Sequence, residues 1–412
     1  MTPTKKKKHI VLVTSFFPPM RHTAVQRNAA LVKYLDKSKF DISVVTSTHH
    51  ERNTAEIQQN LDCRVIEVSN AFCLGYFDMK KSSSRVTHLM KAIFNKLLSK
   101  LAVDEQLGFG RKLKIEIDKL HRQKPIEILI TSYAPLAVLK SGIAFKKQHP
   151  EITWIADMRD EMSDNPNLDS ISKRRLLSWE NQTLAHADLL STVSTPILNG
   201  YRTKCKNPKT KFLEIKNGFD FELDASPCEV KSSSKIKIGY FGTLYGEINP
   251  NNFFKALDHY SKMYGDLPFE IHFYGRSGSL KVPVSLTNLV YQHGVVTYKE
   301  SIQKMKEMDS FLLIHPTTPQ KGNTTSKIFD YLAINRPILG LVDPNDVAGE
   351  MIKLTGSGYI SANEDIDGIV RTLRSFYLDR DANRLPQKKW EIIKTYHREV
   401  QTNLLQKWIE QQ

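Results

Sequence analysis

A polar loop that leads directly into an apolar helix carries residue types that bind phosphate. Residues 321–340, KGNTTSKIFDYLAINRPILG, place amide and hydroxyl groups ahead of apolar residues at helical spacing, which predicts a helix beginning near Ser326. The free N–H groups and positive dipole end of such a helix favour a bound anion. Capping of the helix without any anion is the alternative. The residues of the predicted anion site are Asn323, Thr324, Thr325, Ser326 and Lys327.

Short apolar segments alternate with helical patterns along the whole chain, which predicts doubly wound parallel sheets in an α/β fold. In the first half the predicted strands are residues 9–15, 41–47, 63–68, 127–132, 152–157 and 187–194, and the first helix is residues 23–37. In the second half the predicted strands are residues 236–243, 269–276, 288–294, 309–315 and 337–342. Ligands of such folds bind at the carboxyl ends of the strands.

The length of 412 residues fits two domains, and a polar stretch without periodicity at residues 217–235 separates the two halves. We therefore predict an N-terminal domain at 1–222, a linker at 223–235 and a C-terminal domain at 236–387. Residues 388–412 are predicted to form a helix that packs on a domain surface, because apolar residues recur along them at helical spacing.

The formal charge of +15 indicates an anionic partner, which is a nucleic acid, an anionic membrane or a phosphorylated substrate. Four cysteines without CxxC spacing argue against a disulfide framework and a zinc site, and they favour a reducing cytosol. The basic N-terminus precedes a short apolar run without a cleavage site, and no apolar stretch approaches 20 residues. The sequence therefore predicts a cytoplasmic protein without a spanning helix.

Several segments, in order, resemble the family 4 glycosyltransferases over residues 9–375. The segments are VTSFFPPMRHTAVQRNAALVKYL, WIADMRDE, WENQTLAHADLLSTVSTPI, IKNGFD, IGYFGTL, HFYGR, HGVVTYKESIQKMKEMDSFLLI and SKIFDYLAINRPIL. The resemblance implies a GT-B fold, in which an acceptor-side and a nucleotide-sugar-binding Rossmann-like domain face a central cleft. It also implies a retaining hexosyl- or related transferase that moves a sugar from a nucleoside-diphosphate sugar to a growing, lipid-linked saccharide in cell-surface polysaccharide or lipopolysaccharide biosynthesis. No cofactor and no metal are expected.

The same resemblance implies roles for residues of the second half, with three departures from the family pattern. Asp330 stands where the family has a Glu that binds the ribose, whereas Gly322 stands where the family has a Glu that holds the donor sugar. The segment GTLYGEINP lacks the family's Arg and Lys for the diphosphate, so Lys327 and Arg276 are the nearest substitutes. Gly242 and Thr243 are expected to allow close approach of the backbone to the donor, with a tight turn as the alternative for the glycine. Gly294 and Val295 resemble the segment whose backbone contacts the nucleotide base.

In the first half, the segment DMRD follows an apolar strand and places charged groups at the expected edge of the sheet. The candidate catalytic residues there are Asp157, Arg159, Asp160 and, from the first loop, His22. Gln26 and Arg27 follow that loop and are expected to face the diphosphate or the acceptor. An ion pair that only fixes a loop is the alternative for the DMRD segment.

Residues 80–122 contain eleven Lys or Arg residues and four acids, a local net charge of +7. Within them Leu89, Ile93, Leu97 and Leu101 recur every fourth residue, which suits an amphipathic helix on an anionic membrane. Packing of this stripe in the core is the alternative. A membrane contact would place the protein peripherally at the inner face of the cytoplasmic membrane.

Three other functions compete with the transferase. Nucleic-acid binding rests on basicity alone, since no recognition helix, RNA-stacking motif or zinc framework is present, and we predict no nucleic-acid partner. A catalytically degenerate GT-B scaffold is suggested by the missing Glu at position 322 and the missing Arg and Lys. A sugar-nucleotide epimerase has the same two-domain architecture.

Overall fold

The computed structural model describes residues 6–20, 23–48, 61–69, 74–75, 84–101, 106–166, 168–226, 235–276, 278 and 280–412. The chain forms two compact units. Unit 1 contains residues 1–216 and 401–412, and unit 2 contains residues 217–400. The chain therefore passes from one unit to the other after residue 216 and returns after residue 400.

Unit 1 is built on a seven-stranded parallel sheet. Its elements, in chain order, are β1 (Lys8–Thr14), α1 (Thr23–Tyr34), β2 (Phe40–Ser47), β3 (Arg64–Val68), β4 (Leu74–Gly75), α2 (Arg85–Leu101), β5 (Gln106–Leu107), α3 (Phe109–Gln123), β6 (Ile128–Tyr133), α4 (Leu136–Gln148), β7 (Thr153–Met158), α5 (Ser170–His186), β8 (Leu189–Thr192), α6 (Thr195–Lys204) and β9 (Lys211–Glu214). The strand order is β3-β2-β1-β6-β7-β8-β9, and β4 and β5 form a separate antiparallel pair. The order therefore reverses between β1 and β6, at the point where ligands of open α/β sheets bind.

Unit 2 is built on a six-stranded parallel sheet. Its elements, in chain order, are β10 (Ile236–Phe241), α7 (Asn251–Tyr264), β11 (Phe269–Tyr274), a 3₁₀ turn (Val284–Leu286), β12 (Val290–Gly294), α8 (Tyr298–Lys306), β13 (Ser310–Ile314), α9 (Lys327–Ala333), β14 (Ile338–Leu341), α10 (Val347–Thr355), β15 (Gly358–Ser361), α11 (Ile366–Asp381), α12 (Trp390–Lys394) and α13 (Arg398–Glu410), the last of which continues into unit 1. The strand order is β12-β11-β10-β13-β14-β15, so the reversal lies between β10 and β13. The predicted doubly wound fold is confirmed in both units.

Buried apolar strands explain why both sheets are parallel and covered by helices. All residues of β13 and β14 are buried, and so are all but the first residue of β7. Besides the short pair β4 and β5, the sequence patterns did not predict β9 and β15, which are short strands at the ends of the parallel sheets and are mostly half-buried. They lack the continuous apolar run that identifies the buried strands.

The predicted helix over residues 388–412 is divided into α12 and α13. The interruption follows from a backbone contact, because the N–H of Arg398 donates to the carbonyl of Phe219 at 3.0 Å and His397 forms a β-bridge with Phe219. Residues 401–412 then pack on unit 1, where Leu405 and Ile409 are buried in the same cluster as Phe40.

A buried lysine caps the carboxyl end of α9. The Nζ atom of Lys388 donates to the carbonyl oxygens of Tyr331 at 2.8 Å, Leu332 at 3.1 Å and Ile334 at 2.6 Å. These carbonyls have no partner within a helix that ends at Ala333, so one ammonium group satisfies them. Residue 388 therefore helps to hold the helix that follows the predicted anion loop.

Within the described residues, no helix combines the length and the apolar character needed to cross a bilayer.

Candidate functional site

The carboxyl edge of the unit 2 sheet brings together glycines from three neighbouring strands. Gly242 follows β10 and donates its N–H to the carbonyl of Tyr274 at 2.8 Å, while Gly275 follows β11 and donates to Gly294 at 2.6 Å. A Cβ atom on Gly275 would overlap the carbonyl oxygen of Gly242. The edge is therefore lined by backbone there, which allows a ligand to approach closely.

The loop that joins β13 to α9 lies at the same edge. Ser326 occupies the N-cap position without a side-chain capping bond, and α9 has seven residues. The N–H groups of Ile328 and Phe329 donate to the carbonyls of Thr325 and Ser326. The hydroxyl of Thr324 is buried and has no hydrogen-bond partner. The loop thus presents polar groups that the helix does not use.

Lys327 points back toward the end of β10. Its Nζ donates to the hydroxyl of Tyr240 at 2.8 Å and lies 4.2 Å from the centre of that ring. A Cβ atom on Gly242 would lie 2.9 Å from this Nζ. Burial lowers the pKa of Lys327 to about 8, and no acidic group counteracts this shift. The ammonium group therefore lies beside the glycine edge, and no carboxylate in the described part of the chain pairs with it.

Two aromatic contacts hold α9 against the sheet. The N–H of Phe241 donates to the hydroxyl of Tyr331 at 2.9 Å, and the Tyr331 ring stacks on Phe311 with centroids 4.4 Å apart. These contacts link α9 to β10 and β13, the two strands at which the strand order reverses. They fix the position of Lys327 relative to Gly242.

Gly322, where the resemblance expects a sugar-binding Glu, is held by the backbone. Its φ angle is 98°, and its N–H donates to Oδ1 of Asp346 at 2.8 Å. Lys321, the preceding residue, forms an ion pair with Asp343. The loop is therefore fastened at this point by two acids from the segment between β14 and α10.

Asp330 lies one turn into α9 and has a tyrosine partner. Its Oδ1 accepts from the hydroxyl of Tyr298 at 2.8 Å. Burial raises the pKa of Asp330 to about 6, although Tyr298 and Arg398 act in the opposite sense, so the carboxylate is ionised at neutral pH. This hydrogen bond uses Oδ1, and Tyr298 is 40% exposed.

The remaining predicted donor residues of unit 2 lie on the same edge and are mostly exposed. The carbonyls of Thr243 and Arg276 accept from the hydroxyl of Tyr240 and the N–H of Leu244, while their side chains face solvent. Val295, after Gly294, is 66% exposed. The structure thus brings Gly242, Thr243, Gly294, Lys327 and the loop residues to one edge.

His315 is a residue of this edge that the sequence patterns did not identify. It follows β13, and its N–H donates to the carbonyl of Leu341 at 2.9 Å. Its Nδ1 is buried and has no hydrogen-bond partner. Burial lowers the pKa of His315, and Lys327 adds a smaller effect in the same direction. Asp346 and the backbone of Asn323 act in the opposite direction. Its position directly after the apolar run SFLLI was the signal that could have found it.

In unit 1, Asp157 and Arg27 form a buried ion pair. Oδ1 of Asp157 accepts from Nη2 of Arg27 at 2.7 Å and Oδ2 accepts from Nε at 3.0 Å. The hydroxyls of Ser132 and Ser191 donate to the same carboxylate. Burial alone would raise the pKa of Asp157, but Arg27 and Ser191 outweigh it and lower the pKa. Arg27 also donates to the carbonyl of Ile215 at 2.8 Å, so both partners are fully engaged.

The other predicted residues of unit 1 differ in exposure. Nε of Arg159 donates to the carbonyl of Tyr133 at 2.7 Å, and the guanidinium lies 5.3 Å from the ring of Phe16. Asp160 is exposed, and Gln26 is half-buried on α1. His22 lies outside the described residues. Arg159 and Asp160 are therefore the charged groups of the DMRD segment that a ligand can reach.

Among the residues that the structure describes, one group has metal-ligand spacing. Ligand atoms of His121, His149 and Glu151 lie within 4.8 Å of one another at the carboxyl ends of α3 and α4. However, Nδ1 of His121 accepts from the N–H of Ile126 at 3.1 Å. The neutral ring then carries its proton on Nε2 and offers no lone pair to a metal.

No protein-family model and no curated protein matches the sequence. Solved structures do match. Sucrose-phosphate synthase from Thermosynechococcus elongatus is 12% identical over 98% of this chain and 99% of that chain, with a TM-score of 0.63. A mutant of S. aureus TarM, in complex with fondaparinux, alpha-GlcNAc-glycerol and UDP, is 11% identical over 98% and 99%, with a TM-score of 0.59. A UDP-N-acetylglucosamine 2-epimerase is 11% identical over 97% and 95%, with a TM-score of 0.52.

These similarities cover nearly the whole chain, and they agree with the two parallel sheets described above. The fold is therefore GT-B, with two Rossmann-like domains. Identities of 11–12% show the fold alone.

We predict that Asp157→Ala destabilises unit 1 by about 3–5 kcal/mol, because it leaves the guanidinium of Arg27 buried without a counterion. Thermal unfolding followed by circular dichroism would measure the loss. Asp160→Ala, which removes an exposed carboxylate from the same segment, is the matched control and should leave the transition unchanged. Equal transitions for the two variants would contradict the structural role of the buried pair.

Proposed function

We propose that the chain is a retaining glycosyltransferase of the family 4 type, which transfers a sugar from a nucleoside-diphosphate sugar to a saccharide acceptor. The observation that carries the proposal is the partly buried ammonium of Lys327, which lies beside the backbone of Gly242 without a carboxylate partner. An unpaired cation at the strand-order reversal of a GT-B domain suits the diphosphate of such a donor.

The chemistry of sugar transfer requires stabilisation of a leaving group. When the bond between the sugar and the β-phosphate breaks, negative charge develops on the phosphate, and a fixed cation in a partly buried site stabilises it. Lys327 supplies that cation in this proposal, and Arg276 lies on the same edge. The acceptor hydroxyl attacks the sugar carbon, and its proton passes to a phosphate oxygen, so no side-chain nucleophile and no metal are required.

The nucleoside is proposed to lie between Asp330 and the end of β12. The free oxygen of the Asp330 carboxylate accepts a ribose hydroxyl, and the backbone of Gly294 and Val295 contacts the base. Asn323, Thr324, Thr325 and Ser326 line the diphosphate and sugar. In unit 1, Arg159 and Asp160 are proposed to contact substrate together with His22 and Gln26, whereas Asp157 and Arg27 hold the edge of the sheet.

The acceptor is proposed to be lipid-linked and to be reached at an anionic membrane. Four apolar residues of α2 are 59–68% exposed, namely Val86, Leu89, Met90 and Ile93. These four side chains of α2 are therefore not packed in a core formed by the described residues. An exposed apolar face within a segment of net charge +7 fits the inner face of the cytoplasmic membrane.

A thermal-shift screen against UDP, GDP, ADP, CMP and dTDP, with their sugar conjugates, tests the proposed function. Stabilisation by one nucleoside diphosphate, and a larger effect of one conjugate, would support it and name the donor. Consumption of the donor without an acceptor would instead identify an epimerase. Binding of the donor without turnover in the presence of saccharide acceptors would identify a degenerate scaffold, and no binding would exclude the donor site.

We expect Lys327→Ala to weaken binding of the selected nucleoside diphosphate about 10- to 100-fold, because a charge-assisted hydrogen bond is lost. The charged lysine binds the anion, so affinity should fall about tenfold from about pH 7 to about pH 9, across the pKa of Lys327 at about 8. Isothermal titration calorimetry measures both effects.

Two further variants serve as controls for this measurement. Lys327→Arg should retain affinity at the higher pH, because a guanidinium stays charged. Lys262→Ala removes an exposed lysine from the last turn of α7, outside this loop, and should bind like wild type. A Lys327→Ala variant that keeps wild-type affinity and pH dependence would remove the diphosphate site from the proposal.

For the membrane contact, we expect the double substitution Leu89→Glu and Ile93→Glu to reduce sedimentation with phosphatidylglycerol-containing vesicles severalfold, since it places charge on the apolar face of α2. Ile171→Glu is the control, because Ile171 is 54% exposed on α5, outside the basic segment. Pure phosphatidylcholine vesicles should bind weakly. Wild-type sedimentation of the double variant would contradict a membrane role for α2.

A further inference from the structure

His315 occupies a central place on the edge that carries the proposed donor site. It follows β13, which pairs with β10 on one side and β14 on the other. It also begins the loop, residues 315–326, that leads to Lys327. This loop contains no Asp or Glu. A hydrogen-bond acceptor in the loop must therefore come from neutral groups.

The tautomer of His315 follows from its two ring nitrogens. The backbone of Asn323 interacts with the ring in the sense that raises its pKa, as a carbonyl acceptor does, while Nδ1 has no hydrogen-bond partner. The tautomer with its proton on Nε2 fits both observations. In that tautomer Nδ1 carries a buried lone pair, an acceptor that no described residue satisfies.

Burial keeps the ring of His315 neutral, because it lowers the pKa of His315 more than the neighbouring groups raise it. Burial and the ammonium of Lys327 on α9 disfavour protonation, and Asp346 at the start of α10 opposes them less strongly. Near neutral pH, Nδ1 is consequently an acceptor and not a donor. The Thr324 hydroxyl, buried in the same loop, also lacks a partner.

A ligand can satisfy this lone pair only with a group that donates a hydrogen bond. An ionised diphosphate offers only acceptor oxygens, and the proposed function assigns the ribose hydroxyls to Asp330. The hydroxyls of the donor sugar are then the groups that can donate to Nδ1. Resting on the proposed function, we propose that Nδ1 of His315 accepts a hydrogen bond from a hydroxyl of the donor sugar and so distinguishes the sugar conjugate from the bare nucleoside diphosphate.

The test compares the affinities of UDP and UDP-glucose, or of the pair selected by the thermal-shift screen, for wild type, His315→Ala and His315→Asn. His315→Ala should lose about tenfold of the preference for the conjugate and keep its affinity for the diphosphate. His315→Asn, whose amide oxygen can lie near the position of Nδ1, should retain most of the preference. Wild type should also lose the preference below the pKa of His315, and His315→Ala should show no such change.

The outcomes separate this inference from the proposed function. Equal weakening of both ligands in His315→Ala would indicate a phosphate contact and would overturn the inference, as would an unchanged preference in a folded variant. The donor site itself would stand in both cases. If wild type binds neither ligand of any pair, the proposed function and the inference fall together.

Discussion

An ammonium group held near the end of a strand without a counterion is the interaction on which the proposed site depends. Lys327 is directed to the glycine edge by Tyr240, and Tyr331 fastens the same helix to β10. Neither tyrosine neutralises the charge. The cost of partly burying the ammonium is visible in its lowered pKa and is relieved when an anion binds. Local destabilisation and affinity for an anion therefore have the same source.

The two units differ in whether a buried charge at the carboxyl edge of the sheet has a partner of opposite charge. In unit 1 the carboxylate of Asp157 accepts four hydrogen bonds, two from Arg27 and two from serines on neighbouring strands. In unit 2, among the described residues, Lys327 has a tyrosine as its hydrogen-bond partner, and His315 and Thr324 have polar atoms without a partner. The first arrangement stabilises the domain, whereas the second leaves groups that a ligand can satisfy. This contrast is the reason for placing donor chemistry in unit 2.

The sequence predicted the fold well because buried parallel strands have a strong signature. All eleven predicted strands are present. The strands β9 and β15 were not predicted, because short strands at the end of a sheet lack a continuous apolar run. The loop and helix around Lys327 were also predicted. The pairing of Arg27 with Asp157 joins residues 130 positions apart, and no local pattern encodes such a partner. His315 was not predicted, because the importance of a single histidine depends on whether the folded structure leaves one of its ring nitrogens without a hydrogen-bond partner.

The return of the chain to unit 1 has a consequence for the order in which the protein can fold. Residues 401–412 supply Leu405 and Ile409 to a core that includes Phe40, and Gln406 accepts the backbone N–H of Asp36 at 3.0 Å. Unit 2 is therefore an insertion within unit 1. During synthesis on the ribosome, all of unit 2 emerges before the last helix of unit 1 is available. The first domain to begin folding is consequently the last to be completed.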